Sequence, residues 1–347
     1  MMERILIVGP AWVGDMVMAQ SLFKVLHERS SQTEIDVLAP AWTEPLLKCM
    51  PEVRQAIAMP LGHGQLGLGV RRRLGVALRA HQYDQAIVLP GSFKSALVPF
   101  FAKIPKRTGF TGELRWGLLN DVRPLDKLKL SMTVQRFVAL GRDINQGGSG
   151  NIPVPRLDIK QSVIAEALGR LTLARPAKSV LALCPGAEYG PAKQWPAEYF
   201  AEIARARVAA GWDVWVFGSE KDRAIAETIC DLSGTESINL AGRTSLQDAI
   251  HLLALTDAVV SNDSGLMHVA SALDKPLVAI YGSSSPNFTP PLHDKASIIS
   301  LGLECSPCFK RECPYGHTNC LRNIKPETIL VRLEEMSLPL TDKVAEK

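Results

Sequence analysis

Residues 3–29 read ERILIVGPAWVGDMVMAQSLFKVLHER. An apolar run of strand length ends at Gly9-Pro10, and from Val13 onward the apolar side chains recur at helical spacing. This predicts a strand, a glycine-containing loop and a helix, the opening unit of a parallel sheet. Working outward, TEIDVLAP (33–40) reads as a second strand, after which Pro40 interrupts and AWTEPLLKCMP (41–51) reads as a short helix. QAIVLP (85–90) is a further strand, followed by the small-residue loop GSFKS (91–95). Strands alternating with helices favour a parallel sheet covered on both faces.

The polar, glycine-rich stretch GRDINQGGSGNIPVPRLD (141–158) breaks this pattern and reads as a linker. The alternation then restarts. Strands are predicted at SVLALCPG, WDVWVFGS, SINLAG, AVVSND and PLVAIYG. Helices are predicted at PAEYFAEIARARVAAG, from about Asp222, at DAIHLLALT and at SGLMHVASAL, with a terminal helix at PETILVRLEEMSL. The expected fold class is α/β, with two Rossmann-like doubly wound domains facing a central cleft. The expected boundaries are 1–165, 175–325, and a C-terminal helix and tail over 326–347.

The chain of 347 residues is long enough for two cores, and 46% hydrophobic with 21% charged residues excludes disordered and fibrous classes. No run approaches the ~18 apolar residues of a membrane span, because Pro90, Lys94 and Pro99 interrupt the best candidate. ILIVG is too short for a signal peptide, so a cytoplasmic location is expected. The net charge of +4 hides an asymmetry: residues 1–170 hold 22 basic against 14 acidic side chains, the remainder 17 against 21. Between Pro60 and Arg136 there are 13 basic and 4 acidic residues. A basic half implies an acidic partner. Nucleic acid is disfavoured, since no recognition module accompanies the charge.

Ligands of doubly wound sheets sit beyond the carboxyl ends of the strands, so the loops there are where chemistry is expected. SNDSGLMHVA places Asn262, Asp263, Ser264 and Gly265 between a strand and a helix, where exposed amides and the helix end attract phosphate oxygens; His268 falls one turn later. CPGAEYGPAKQWP offers Lys193 as a cation for a diphosphate. VWVFGSEKDRAIAE offers Glu220 and Asp222, either of which could accept ribose hydroxyls, while Asp222 could equally cap the helix. GPAWVGDMVM is neither GxGxxG nor a Walker A loop, which disfavours a dehydrogenase or a P-loop ATPase. In it Gly14 admits close approach, and Asp15 is a candidate general base or an N-cap.

Together GPAWVGDMVMAQSL, MPLGHG, LPGSFKSALVPFFAKIPKRTGF, CPGAEYGPAKQWP and NDSGLMHVASAL resemble the ADP-heptose lipopolysaccharide heptosyltransferases, of the heptosyltransferase II type, across most of residues 4–292. The resemblance implies a glycosyltransferase B fold and transfer of heptose, with inversion, from ADP-heptose to the first heptose of the lipopolysaccharide inner core, carried on Kdo-lipid A. It implies Asp15 as base. It also implies a donor site of Lys193, Asp263, Ser264, Gly265, Leu266 and His268 with Glu220 or Asp222. No cofactor is required for such chemistry. The basic half then has a partner in acidic Kdo and phosphorylated lipid A at the inner face of the inner membrane. Candidate acceptor contacts are Gly14, Arg71, Arg72, Arg73, Lys94, Lys106, Arg107 and Arg115; ALVPFF (96–101) is a core segment or a membrane contact. The alternatives are another core acceptor, a nucleotide-sugar epimerase, or a non-catalytic nucleotide-binding or redox-sensing protein.

Four of seven cysteines crowd into CSPCFKRECPYGHTNC (305–320). Cys305 and Cys308 have the CxxC spacing of a zinc ligand pair, but the intervals to Cys313 and Cys320 are not those of a common zinc ribbon. Structural zinc, an iron–sulfur cluster and reduced or redox-responsive thiols are all open. No metal-dependent chemistry is expected, because the stretch resembles an insert that some heptosyltransferases lack.

Overall fold

The opening segment folds as β1 (Arg4–Val8) and α1 (Val13–Arg29). The computed structural model describes residues 3–62, 64–143, 150–234 and 236–337, and the chain divides into two units, Met1–Asp158 and Ile159–Lys347. In the first unit β1 and α1 are followed by β2 (Glu34–Pro40), α2 (Glu44–Leu47), β3 (Val53–Met59) and α3 (Leu68–Leu78). Then come β4 (Gln85–Val88), α4 (Leu97–Phe101), β5 (Lys106–Phe110), β6 (Asp121–Arg123) and α5 (Thr133–Gly141). The sheet order is β3-β2-β1-β4-β5-β6, parallel throughout. Central strands are apolar on both faces because helices cover both: Ile5, Leu6, Ile7, Ala86, Ile87 and Val88 are fully buried.

Strands β3, β5 and β6 go beyond the sequence expectation, since VRQAIAM and KRTGF carry polar side chains that mask their strand character. A buried carboxylate ties the β3 edge to the sheet: Asp36 on β2, fully buried, accepts two hydrogen bonds from the Arg54 guanidinium, at 2.9 and 2.6 Å, and one from the Tyr83 hydroxyl. Paired and hydrogen-bonded, this charge is tolerable in the interior.

The second unit begins with α6 (Gln161–Leu171), a helix the sequence boundaries left partly in the first domain. Arg170 on α6 pairs at 2.6 Å with Asp248 of α9 (Leu246–Leu253). Between them lie β7 (Val180–Cys184), α7 (Ala197–Ala209), β8 (Asp213–Val216), α8 (Arg223–Ser233) and β9 (Ser237–Asn239). Beyond them come β10 (Ala258–Asn262), α10 (Gly265–Ala272), β11 (Leu277–Ile280), β12 (Ala296–Ile299), α11 (Asn319–Arg322) and α12 (Pro326–Ser337). The sheet order is β12-β11-β10-β7-β8-β9, again parallel. The two sheets therefore share one topology. β12 is an edge strand absent from the sequence expectation.

Ile329 and Leu333 of α12 join the core formed by Phe200, Ile203, Val214, Val260 and Ile280, so this helix is an integral part of the second unit. Of the expected linker, residues 144–149 lie outside the described residues, as does the tail 338–347; residues 151–160 run without regular structure. ALVPFF belongs to the core: Ala96, Leu97, Val98 and Pro99 are buried, although Phe100 is exposed.

Candidate functional site

Each sheet reverses its strand order once, between β1 and β4 in the first unit and between β7 and β10 in the second. In open sheets of this kind ligands bind beyond the strand ends at that point. The loop after β1 delivers Gly14 and Asp15 into the first turn of α1, where the helix N-terminus favours a negative charge. The N-cap position is held by Trp12, half of whose surface is exposed, so Asp15 is not the N-cap. The loop after β4 places Lys94, half-buried, beside the same switch point.

The second switch point gathers most of the sequence-predicted donor residues. Asn262, at the end of β10 and fully buried, holds the loop after β7 at two points. Its Nδ2 donates to the Pro185 carbonyl at 2.6 Å, and its Oδ1 accepts from the Trp195 amide at 3.1 Å. Lys193, on the loop thus clamped, donates from Nζ to Asp263 Oδ2 at 2.6 Å, with only 5% of the Asp263 side chain exposed. Ser264 caps α10 by accepting from the Met267 amide at 3.4 Å, leaving Gly265 and Leu266 in the first turn. The clamp role of Asn262 was not foreseen; its position in SND at a strand end was the available signal.

His268 lies buried against this ion pair, and burial drives its pKa down to about 4, with Asp263 opposing and Lys193 reinforcing the fall. It is thus a neutral imidazole at pH 7, which can exchange hydrogen bonds but adds no cation. Because the folded value lies below the ordinary 6.5, the unfolded chain takes up the proton first. The stabilising contribution is therefore complete above about 6.5 and is lost as pH falls toward 4. Urea midpoints at pH 7.5 and 5 should show a loss of about 2 kcal/mol from this group, and His268→Gln should flatten that slope. An undiminished slope would show that other groups cause it.

The two carboxylates of the β8 loop separate cleanly. Asp222 accepts from the Ser219 amide at 2.8 Å and the Ser219 hydroxyl at 2.7 Å, a capping box that turns the chain into α8. It is also wedged against Gly186, where a Cβ would stand 2.6 Å from its carboxyl. Glu220 points outward: its carboxylate is 69% exposed, its partner is Arg223 at 2.6 Å, and it lies over Gly242 in the loop after β9.

The basic candidates do not form one cluster. Arg71 is buried and gives its guanidinium to the carbonyls of Leu66, at 2.7 Å, and Gln65, at 3.3 Å. Arg115 is buried likewise on the carbonyls of Pro90, at 2.8 Å, and Phe110. Arg107 spans the carbonyls of Leu118 and Ile104 at 2.7 and 2.5 Å and lies over the Phe100 ring. These three tie loops together, and burial lowers the pKa of each. Lys106 and Arg107 start β5, so in this parallel sheet they lie at the amino ends of the strands, whereas Asp15 follows the carboxyl end of β1. Arg72 and Arg73 are exposed on α3. Lys94, Arg72 and Arg73 are left as solvent-accessible cations that a ligand could reach.

All seven cysteines are free thiols. Among the described residues, no group of three or more His, Cys, Asp or Glu side chains stands ready-made around a metal position. Cys313 has its pKa lowered chiefly by the Thr318 amide, with the Tyr315, Gly316 and His317 amides adding to it; burial and the other three thiols of the segment raise that of Cys320.

Twin doubly wound domains, one with a carboxylate at its switch point and the other with a lysine and helix amides suited to a diphosphate, are the parts of a glycosyltransferase. The comparisons agree. Residues 71–319 match glycosyltransferase family 9 (heptosyltransferase). Lipopolysaccharide heptosyltransferase 2 of Escherichia coli (strain K12) is 47% identical over 96% of this chain and 99% of that protein. The protein of that name from Salmonella typhimurium is also 47% identical, covering 96% of this chain and 98% of its own. The solved structure of E. coli ADP-heptose lps heptosyltransferase II superposes with a TM-score of 0.85 at 44% identity, covering 96% of this chain and 98% of that one. The chain belongs to glycosyltransferase family 9, the heptosyltransferases.

Proposed function

We propose that the protein transfers heptose from ADP-heptose to the first heptose of the lipopolysaccharide inner core, on heptosyl-Kdo2-lipid A, with inversion at the anomeric carbon. The observation that carries the donor half is the Asn262-clamped loop that holds Lys193 on Asp263, just before the N-cap of α10. In the reaction, the acceptor hydroxyl oxygen attacks the anomeric carbon as its proton passes to the Asp15 carboxylate. The bond from that carbon to the diphosphate breaks, and ADP leaves with the electron pair. Lys193 and the amides of Ser264, Gly265 and Leu266 meet the charge that develops on the diphosphate. With those donors in place no cofactor is needed. Glu220 is the ribose contact, since Asp222 is occupied as a cap. Glu220→Ala should raise donor KM about tenfold, the low end for one charged hydrogen bond, whereas Asp222→Ala should cost about 1 kcal/mol of stability. The reverse pattern would exchange the roles.

Lys94, Arg72 and Arg73 are the cations offered to Kdo and phosphate. No helix among the described residues is long and apolar enough to cross a membrane. Peripheral attachment at the inner face of the inner membrane is supported by Trp116, 79% exposed beyond β5, and Leu128, 95% exposed between Lys127 and Lys129 beyond β6. The decisive assay supplies purified ADP-heptose with defined acceptors and reads product mass and linkage. One added heptose on heptosyl-Kdo2-lipid A is expected. Transfer only to an acceptor that lacks heptose, or conversion of the nucleotide sugar without any acceptor, would overturn the proposal.

A further inference from the structure

Four cysteines of the segment after β12 have no part in that chemistry, yet they lie together. Cys305, Cys308, Cys313 and Cys320 line a single cavity of about 10 Å³, the room of one water-sized body. That volume excludes an organic ligand and suits a single ion. One further observation points the same way. The Ser283 hydroxyl, on the same cavity wall, is 1% exposed and has no hydrogen-bond partner.

The segment also lacks the means to hold itself. Residues 300–318 contain neither helix nor strand, and their large apolar side chains Phe309 and Tyr315 are 49% and 68% exposed. A short loop without a core of its own is the kind of structure that a metal fixes in place.

We propose that Cys305, Cys308, Cys313 and Cys320 bind one divalent cation through four thiolates, and that this ion braces the loop carrying Lys193. The thiols surround the cavity without converging on a common point, so binding requires side-chain rotation that draws them to the ~2.3 Å of a zinc–sulfur bond. Each ligating thiol gives up its proton as it binds. Four soft sulfurs select zinc or iron(II) over magnesium or calcium.

The bracing follows from four hydrogen bonds. The Ala192 amide donates to the Arg311 carbonyl at 3.0 Å, and the Tyr189 hydroxyl to the Phe309 carbonyl at 2.8 Å. The Phe309 amide donates to the Ser283 carbonyl at 2.7 Å, and the Ser306 hydroxyl to the Gly282 carbonyl at 2.6 Å. Gly190, at φ 155°, passes so close that a Cβ would stand 2.6 Å from the Arg311 oxygen. Residues adjoining Lys193 thus rest on the cysteine segment.

The test measures zinc and iron in the purified full-length protein by elemental analysis, before and after dialysis against zinc. Cobalt(II) is then used as a spectroscopic probe. One equivalent of metal per chain is expected, with thiolate-to-cobalt charge-transfer bands and the intense visible absorption of a tetrahedral site. Cys305→Ser/Cys308→Ser should bind less than about a tenth of an equivalent, as expected when half of a four-ligand set is lost, while Cys49→Ser/Cys230→Ser should retain the full amount. Removing the ion with a chelator should weaken ADP binding several-fold. The absence of zinc and iron together with a cobalt spectrum lacking thiolate bands would overturn the site, as would full retention in Cys305→Ser/Cys308→Ser. ADP affinity unchanged on removal would overturn the bracing. The cobalt measurement on the unaltered protein does not depend on a variant folding, and neither readout requires glycosyl transfer.

Discussion

Asp15→Asn is expected to lower kcat about a thousandfold, the middle of the range for removing a positioned general base, while ADP binds with nearly unchanged affinity. The substitution keeps shape but removes the charge and with it the ability to accept a proton, so an effect far larger than the charge alone can cause belongs to the transfer step. Two structural facts make this test clean. Asp15 sits in the first turn of α1 rather than at its cap, and asparagine keeps a side-chain oxygen in the same place. Its sheet is separate from the one carrying Lys193 and Asp263, which lie in the other unit. Loss of the charge at the helix N-terminus should cost only about 0.3–1 kcal/mol, visible as a small fall in Tm. Single-turnover rates with saturating donor and acceptor, set beside ADP titration, separate the two effects. Turnover within about tenfold of the parent would sink the base assignment, because a charge effect at a helix end is no larger than that.

How much of this was legible in the sequence follows from burial. Strands covered on both faces, such as ILIV, VLALC, AVVSN and LVAI, present unbroken apolar runs, and they supplied both sheet centres. The hidden strands are β3, β5, β6 and β12, which lie at or near the sheet edges, where Arg54, Gln55, Lys106 and Arg107 can stand without burying a charge unpaired. The site was legible for the same reason that it exists, since a glycine or short polar residue directly after an apolar strand marks a place where backbone must approach a ligand. What composition could not distinguish was the use of each charge. Arg71, Arg107 and Arg115 read like Arg72 and Arg73, yet the first three hold backbone carbonyls. Glu220 and Asp222 stand two residues apart, and only hydrogen-bond geometry makes one a cap and the other an exposed acceptor.

Lys193→Ala should produce a double loss, and a second variant separates its parts. The substitution removes the proposed partner of the diphosphate, and it strands Asp263, whose carboxylate is 5% exposed. Breaking a buried pair from one side typically costs about 3–5 kcal/mol; with Lys193 itself 19% exposed, solvent screening brings the expected loss nearer 2 kcal/mol. Donor kcat/KM should fall about a hundredfold, as for removal of a charged, desolvated contact. Lys193→Ala/Asp263→Ala removes both charges at once, so the stability penalty should largely disappear. The donor defect should persist, because the Lys193 ammonium is still missing. Thermal unfolding and donor kinetics of the three proteins therefore decide between two roles for one amine. Recovery of both properties in the double variant would mean that Lys193 serves only to neutralise Asp263, and the diphosphate would have to be met by the α10 amides alone.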